Sequence, residues 1–246
     1  MRLPPLTEGR LVRRYKRFLA DVDLGGGEIV TVHCANPGSM MGLAEPGMRV
    51  LLSRSASTTR KFPWSWELVE AGDALVGINT AHPNNIVAEA IVAGAIPELD
   101  GYDLLRREVR YGINSRIDIL LSGAGRPDAY VEVKNVHLSR RKGLSEFPDS
   151  VTERGAKHLR ELSAMVAAGH RAAMLYLVHR SDTTALALAR DIDPIYCAAF
   201  DKAEAAGVEM LAYQCRVTAE EVTVTGRIPV RNTPLPAVGE GAPARL

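Results

Sequence analysis

Charge of one sign, cysteine and long apolar runs are all scarce in this 246-residue chain, and each shortage removes a class of function. Thirty Lys and Arg stand against 29 Asp and Glu, a formal net charge of +1, so the molecule as a whole is not polycationic and any nucleic-acid binding must come from local patches. Three cysteines, Cys34, Cys197 and Cys215, lie far apart without CxxC or His-partnered spacing. That argues against a zinc site and against a disulfide framework. No stretch approaches the length of a membrane span, and the beginning has no apolar signal segment. The expected setting is a reducing cytoplasm, with no membrane partner.

What the chain does have is a pair of apolar strands carrying charge. Ser115 to Leu121 and Tyr130 to Val136 are rich in aliphatic and β-branched residues, and the turn formers from Ser122 to Asp128 separate them, so they predict a hairpin. Alternation puts Glu132 and Lys134 on one face, with Val131, Val133 and Val136 supplying most of the apolar side. Asp118 in the first strand converges with them. Carboxylates in apolar strands cost several kcal/mol unless a partner satisfies them, on the order of ~2–7 kcal/mol for an unpaired polar group. Mg²⁺ is such a partner, with Mn²⁺ as a substitute: it takes one or two carboxylates plus waters and phosphate oxygens. The predicted metal ligands are Asp118 and Glu132, with the Val133 carbonyl alongside. Lys134 then acts on the attacking water. The spacing is similar to the PD-(D/E)xK phosphodiesterase signature, except that Ile117 replaces the proline before the first acid. Strand edges also carry Glu and Lys simply to stay soluble, and that reading stands beside the catalytic one.

The flanks extend the pattern. Asn84 or Asn85 is expected to cap a helix over 86–93, ended by Gly94 and Pro97, in which Glu89 is the only charge. Glu89 either finds a cation or sits at an exposed edge. Arg107 to Tyr111 predicts another strand. Ser150-Val151-Thr152-Glu153 reads as a capping box opening a helix to about Ala168. Along that helix Arg154, Lys157, His158 and Glu161 form a polar stripe, either solvated or facing phosphates. A buried-type strand follows from Arg171 to Val178. Arg140, Arg141 and Lys142 are expected on a loop near the metal site, as phosphate contacts or as an ordinary basic turn.

The first 80 residues are β-rich. A long strand-like run from Gly9 to Asp23, a glycine turn at Leu24 to Glu28, and runs at 29–34, 49–53, 66–69 and 74–79 give about five strands, the size of an OB-like barrel. Cations interleave with aromatics in two places: Arg13, Arg14, Lys16 and Arg17 with Tyr15 and Phe18, and Arg60 and Lys61 with Phe62, Trp64 and Trp66. Such clusters bind single-stranded or nonspecific nucleic acid, although Trp and Phe beside a strand also serve as core.

As a set, these motifs resemble the sugar fermentation stimulation protein A family. The matching segments are 9–18 (GRLVRRYKRF), 33–40 (HCANPGSM), 79–84 (NTAHPN), 115–118 (SRID), 131–136 (VEVKNV) and 147–159 (FPDSVTERGAKHL). The resemblance implies an α/β (α+β) chain: an OB-like nucleic-acid-binding domain over 1–82 and a PD-(D/E)xK restriction-endonuclease-like domain with a mixed central sheet over 83–230. Beyond its reach, Pro234, Pro236, Gly239, Gly241 and Pro243 predict a flexible tail over 231–246. The resemblance also implies DNA, or RNA, bound with little sequence preference. Glu89, Asp118, Glu132 and Lys134 are the catalytic positions it carries over, with Arg154 and Lys157 in support. Two functions stay open: a Mg²⁺-dependent nuclease, and a DNA-binding regulator of sugar metabolism on a nuclease scaffold that does not cleave.

Overall fold

Six strands come first in the computed structural model, which describes residues 1–112 and 114–232. They are β1 (Leu6–Tyr15), β2 (Leu19–Asp23), β3 (Ile29–His33), β4 (Arg49–Arg54), β5 (Trp64–Ala71) and β6 (Ala74–Gly77), in the order β3-β2-β1-β4-β5-β6. An additional parallel contact between β3 and β5, at His33 and Ser65, curls the sheet into an OB-like barrel. Alternate residues such as Leu11, Val22, Val50, Leu52, Trp66 and Val76 fill it. The single run expected from Gly9 to Asp23 is two strands. Lys16 and Arg17 form the turn between them in the left-handed region, at φ 49° and 64°, a break without the usual Gly or Pro marker.

The second half holds α1 (Pro83–Val92), a 3₁₀ turn (Pro97–Leu99), β7 (Leu104–Tyr111), β8 (Ser115–Ser122), β9 (Ala129–Val136), β10 (Leu138–Arg141) and β11 (Gly143–Phe147). Then come α2 (Glu153–Ala167), β12 (Arg171–Val178), β13 (Thr183–Leu188), α3 (Pro194–Ala205), β14 (Glu209–Val217), β15 (Val222–Arg227) and β16 (Val230–Arg231). The large sheet runs β15-β14-β12-β9-β8-β7. Its centre, β9-β12-β14, is parallel and its flanks are antiparallel, the mixed sheet expected. Ile86, Val87 and Ala90 of α1 cover one face against Val131, Val133 and Leu175. Leu159 and Leu162 of α2, with Tyr196 and Phe200 of α3, cover the other against Met174 and Tyr176. A smaller sheet, β10-β11-β13-β16, lies beside them.

Local differences from expectation have local causes. Pro83 takes the first turn of α1, so His82 is the N-cap and neither Asn84 nor Asn85 caps it. Thr152, not Ser150, caps α2 by accepting from Gly155 N at 3.0 Å. Val136 packs with the α2 face rather than with Val131 and Val133, as strict alternation with Glu132 and Lys134 requires. The segment 139–143 is a tight hairpin of β10 and β11 rather than a loop. Of the expected tail, Arg231 pairs with Ala187 and Asn232 donates to Asp201 and Glu204; positions 233–246 lie outside the described residues. Among the described residues, no helix is long and apolar enough to cross a membrane.

Candidate metal and nucleic-acid site

Strands β8 and β9 pair from Leu121–Ala129 to Ile119–Val131 and then part. The backbone N–H of Val133, past the end of that ladder, donates to Asp118 Oδ2 at 2.8 Å, while Asn84 Nδ2 from α1 donates to Oδ1 at 2.7 Å. Strand divergence thus makes room for the carboxylate, and two donors orient it. Glu132 is 2% exposed. Its Oε1 accepts from Lys134 Nζ at 2.7 Å and meets His158 Nδ1 of α2, while its Oε2 is buried without a partner.

The two acids respond differently to their surroundings. Burial, and next the charge of Glu132, push Asp118 up to about 6 against the pull of the Val133 amide, Lys134 and Asn84. Burial also pushes Glu132 up, but the Lys134 charge and His158 outweigh it and hold the carboxyl below its ordinary range. An unpartnered buried oxygen beside a second carboxylate that resists ionisation is a site short of positive charge. Among the described residues no three His, Cys, Asp or Glu side chains are grouped to hold a metal. Two carboxylates without a full protein cage fit a hard cation that keeps several waters, as Mg²⁺ does.

The pair lies in a cleft of about 480 Å³ where the barrel meets the second half, lined by Arg17, Asn36 and Pro37 on one side and by Asn84, Asp149, Arg154 and His158 on the other. Arg14 shapes the barrel side: its guanidinium donates to the carbonyls of Asn36, Gly38 and Arg17 at 2.8–3.0 Å. Gly38 lies close against Asp149: a Cβ there would sit 2.5 Å from Asp149 Oδ2 and force the carboxylate to shift. Ser39 Oγ donates to the Asp149 carbonyl at 2.7 Å and bridges the two halves. Burial pushes Asp149 up, yet His137 and the Met40 amide outweigh it and hold the carboxyl down at about 2. A larger groove of about 690 Å³ between Arg2–Leu6 and Glu220 lies elsewhere and brings together none of these groups.

The other expected site residues divide clearly. Asp118, Glu132, Lys134, Arg17 and Arg154 share the cleft. Glu89 does not: its side chain is 59% exposed and pairs with the Met1 amino group at 2.9 Å. Arg13 pairs with Asp21 and covers the Tyr15 ring, and Lys16 sits exposed on the β1–β2 turn. Arg60 and Lys61 are exposed between β4 and β5, with Lys61 over Phe62; Trp64 is half-buried beneath Arg54, and Trp66 is core. Arg140 is locked between Glu146 and Asp191 at 2.7 and 2.6 Å, and Arg141 and Lys142 occupy the same hairpin away from the cleft lining. Lys157 stands 3.6 Å from Glu161. The sequence reading missed Asn84 as a partner of Asp118, His158 as a partner of Glu132, and the His137–Asp149 pair. In sequence Asn84 reads as a helix cap and His158 as one member of the polar stripe on α2.

Behind the cleft the two halves meet at a joint. The imidazole of His179, which follows β12, lies against Gly77, where a Cβ would come within 2.1 Å of Nε2; Gly77 N donates to the His179 carbonyl at 2.8 Å. Asn135 connects His179 to β9, the strand of Glu132 and Lys134, through its Oδ1, 3.2 Å from His179 Nδ1.

Residues 12–78 match the family model described as the SfsA N-terminal OB domain, and residues 81–221 match the one described as the sugar fermentation stimulation protein RE domain. A sugar fermentation stimulation protein homolog of Azorhizobium caulinodans is 57% identical over 235 residues, covering 94% of this chain and 99% of that one. Its counterpart in Rhodospirillum centenum is 59% identical over 225 residues, covering 91% and 97%. Among solved structures, SfsA of Pyrococcus furiosus in complex with Ca²⁺ superposes with a TM-score of 0.85 at 24% identity, over 94% of this chain and 98% of that one. That last likeness is one of fold.

Proposed function

The chain belongs to the sugar fermentation stimulation protein family, and from that membership and the cleft together we propose that it binds nucleic acid and hydrolyses phosphodiesters with Mg²⁺. The observation that carries the reading is the buried, unpartnered Oε2 of Glu132 beside an Asp118 pushed up to about 6. The Ca²⁺ in the Pyrococcus furiosus protein supports a divalent cation at this fold. We take residues 1–82 as the OB unit, 83–230 as the nuclease-like unit, and DNA as the principal partner.

Asp118 and Glu132 would hold the cation, which when bound supplies an acidified water and neutralises charge on the phosphate. Asn84 and the Val133 amide hold Asp118 in orientation. Lys134, anchored by Glu132, presents its ammonium to the charge that develops on the phosphate and to the attacking water. Arg17 and Arg154 on opposite cleft walls supply phosphate contacts. The test is cleavage of labelled single- and double-stranded DNA and RNA by protein freed of contaminating nucleases, with Mg²⁺, Mn²⁺ or EDTA. Metal-dependent products abolished by Asp118→Ala are expected. Binding without any cleavage would instead make the protein a DNA-binding regulator.

A further inference from the structure

His158 enters the site from α2, one turn after Arg154, and is buried. Its Nδ1 meets Glu132 Oε1, and its Nε2 lies 3.3 Å from Arg154 Nε. A neutral imidazole has one donor nitrogen and one acceptor nitrogen, and an arginine only donates. Nε2 is therefore the acceptor, and the ring proton sits on Nδ1, aimed at Glu132. The same assignment makes Lys134 Nζ, 3.3 Å from Nδ1, a neighbour of the ring, because Nδ1 has no lone pair to offer it. Oε1 of Glu132 thus takes two donors, from Lys134 and His158, and Oε2 takes none.

We propose that His158 is a positioning residue of the metal site: by donating from Nδ1 it turns Glu132 so that Oε2 faces the cation, and Arg154 fixes its tautomer from the cleft wall. The inference rests on the metal-site reading above. Ligating carboxylates are commonly held by outer hydrogen-bond partners, whose loss costs about 10–100-fold in metal affinity. The Arg154 side chain makes no other hydrogen bond among the described residues, so its Nη groups remain for a phosphate. One side chain then serves both the nucleic acid and the proton position on His158.

The deciding measurement is Mn²⁺ affinity by titration calorimetry on the metal-free full chain, with thermal stability recorded for each variant. The amide nitrogen of Asn overlies Nδ1 of His, whereas that of Gln overlies Nε2. His158→Asn should therefore keep Mn²⁺ affinity within about 3-fold, while His158→Gln and His158→Leu lose about 10–100-fold. A residue that merely packs would give affinities that follow the melting temperatures, whichever nitrogen is replaced. If the Leu variant fails to fold, the Asn and Gln pair still decides. Wild-type affinity in the Leu variant, or an Asn variant no better than Gln, overturns the assignment. A wild-type protein that binds no Mn²⁺ overturns the metal-site reading itself and the assignment with it.

Discussion

Asp118 Oδ2 accepts a hydrogen bond from the backbone nitrogen of Val133 at 2.8 Å, just where the β8–β9 ladder gives out. A side chain replaces a backbone carbonyl as acceptor, so the strand is held at the point where it diverges. The carboxylate also receives Asn84 and faces Glu132 across the gap. Removing either acid should therefore affect cation binding directly. Asp118→Ala and Glu132→Ala are each expected to weaken Mn²⁺ binding at least tenfold in titration calorimetry, whereas Glu89→Ala, remote from the cleft, should leave it unchanged. Unaltered affinity in both acid variants would remove the site.

The raised position of Asp118 has a stability consequence of definite sign. Between its ordinary 3.8 and about 6 the folded chain holds a proton that the unfolded chain releases. Stability of the metal-free protein should thus fall as pH rises through that window. Asp118→Asn removes the penalty. At pH 8 with EDTA the variant should be more stable than wild type, by up to about 3 kcal/mol at ~1.36 kcal/mol per tenfold, with the gap nearly closed at pH 4. Thermal unfolding at both pH values checks this; an equal gap at each would contradict it.

Lys134 is expected to serve the transition state more than the ground state. Its replacement by Ala should slow cleavage by about 10²-fold or more, as for loss of a group aimed at developing charge, while DNA affinity changes only a few-fold. A matching loss in both would make Lys134 a binding residue instead. Single-turnover cleavage and filter binding on the same substrate separate the cases.

Salt dependence distinguishes cations that meet phosphate from those that build the fold. Arg154 lines the cleft and Lys16 is exposed next to Arg17 in sequence, so replacing each by Ala should reduce the log-log slope for duplex DNA by about 0.9. Arg17 also lines the cleft but donates from Nε and Nη2 to the Pro37 carbonyl at 3.2 and 2.9 Å, so Arg17→Ala should reduce the slope and lower the melting temperature as well. Arg14 is committed to the carbonyls of the 36–38 segment. Arg14→Ala should lower the melting temperature and disturb the cleft wall. A full phosphate-sized slope change from Arg14→Ala at unchanged stability would reverse that assignment.

How much of this was legible in the sequence depended on the distance over which each signal acts. Glu132 and Lys134 stood out because strand alternation is local and apolar neighbours make charge conspicuous. The same rule, applied strictly, places Val136 on their face. Arg140 was unreadable as a structural residue, because one of its partners, Asp191, lies 51 positions away on another element. Asn84 misled for a related reason: an Asn near a helix start is a good cap, but Pro83 had already set the start and freed the amide for Asp118. Beyond Val178, Asp193-Pro194 and Gly207 do punctuate α3, but none of its residues enters the cleft.

The contact of Gly77 with the His179 ring determines how this molecule can be taken apart. A barrel expressed alone would present a bare glycine where an imidazole had rested, and the remaining half would leave that ring wet, next to the strand bearing Glu132 and Lys134. Neither fragment reproduces the surface it has in the whole. Shuffling halves between relatives therefore calls for glycine and histidine to travel as a matched pair, with Asn135 as the third party to the exchange.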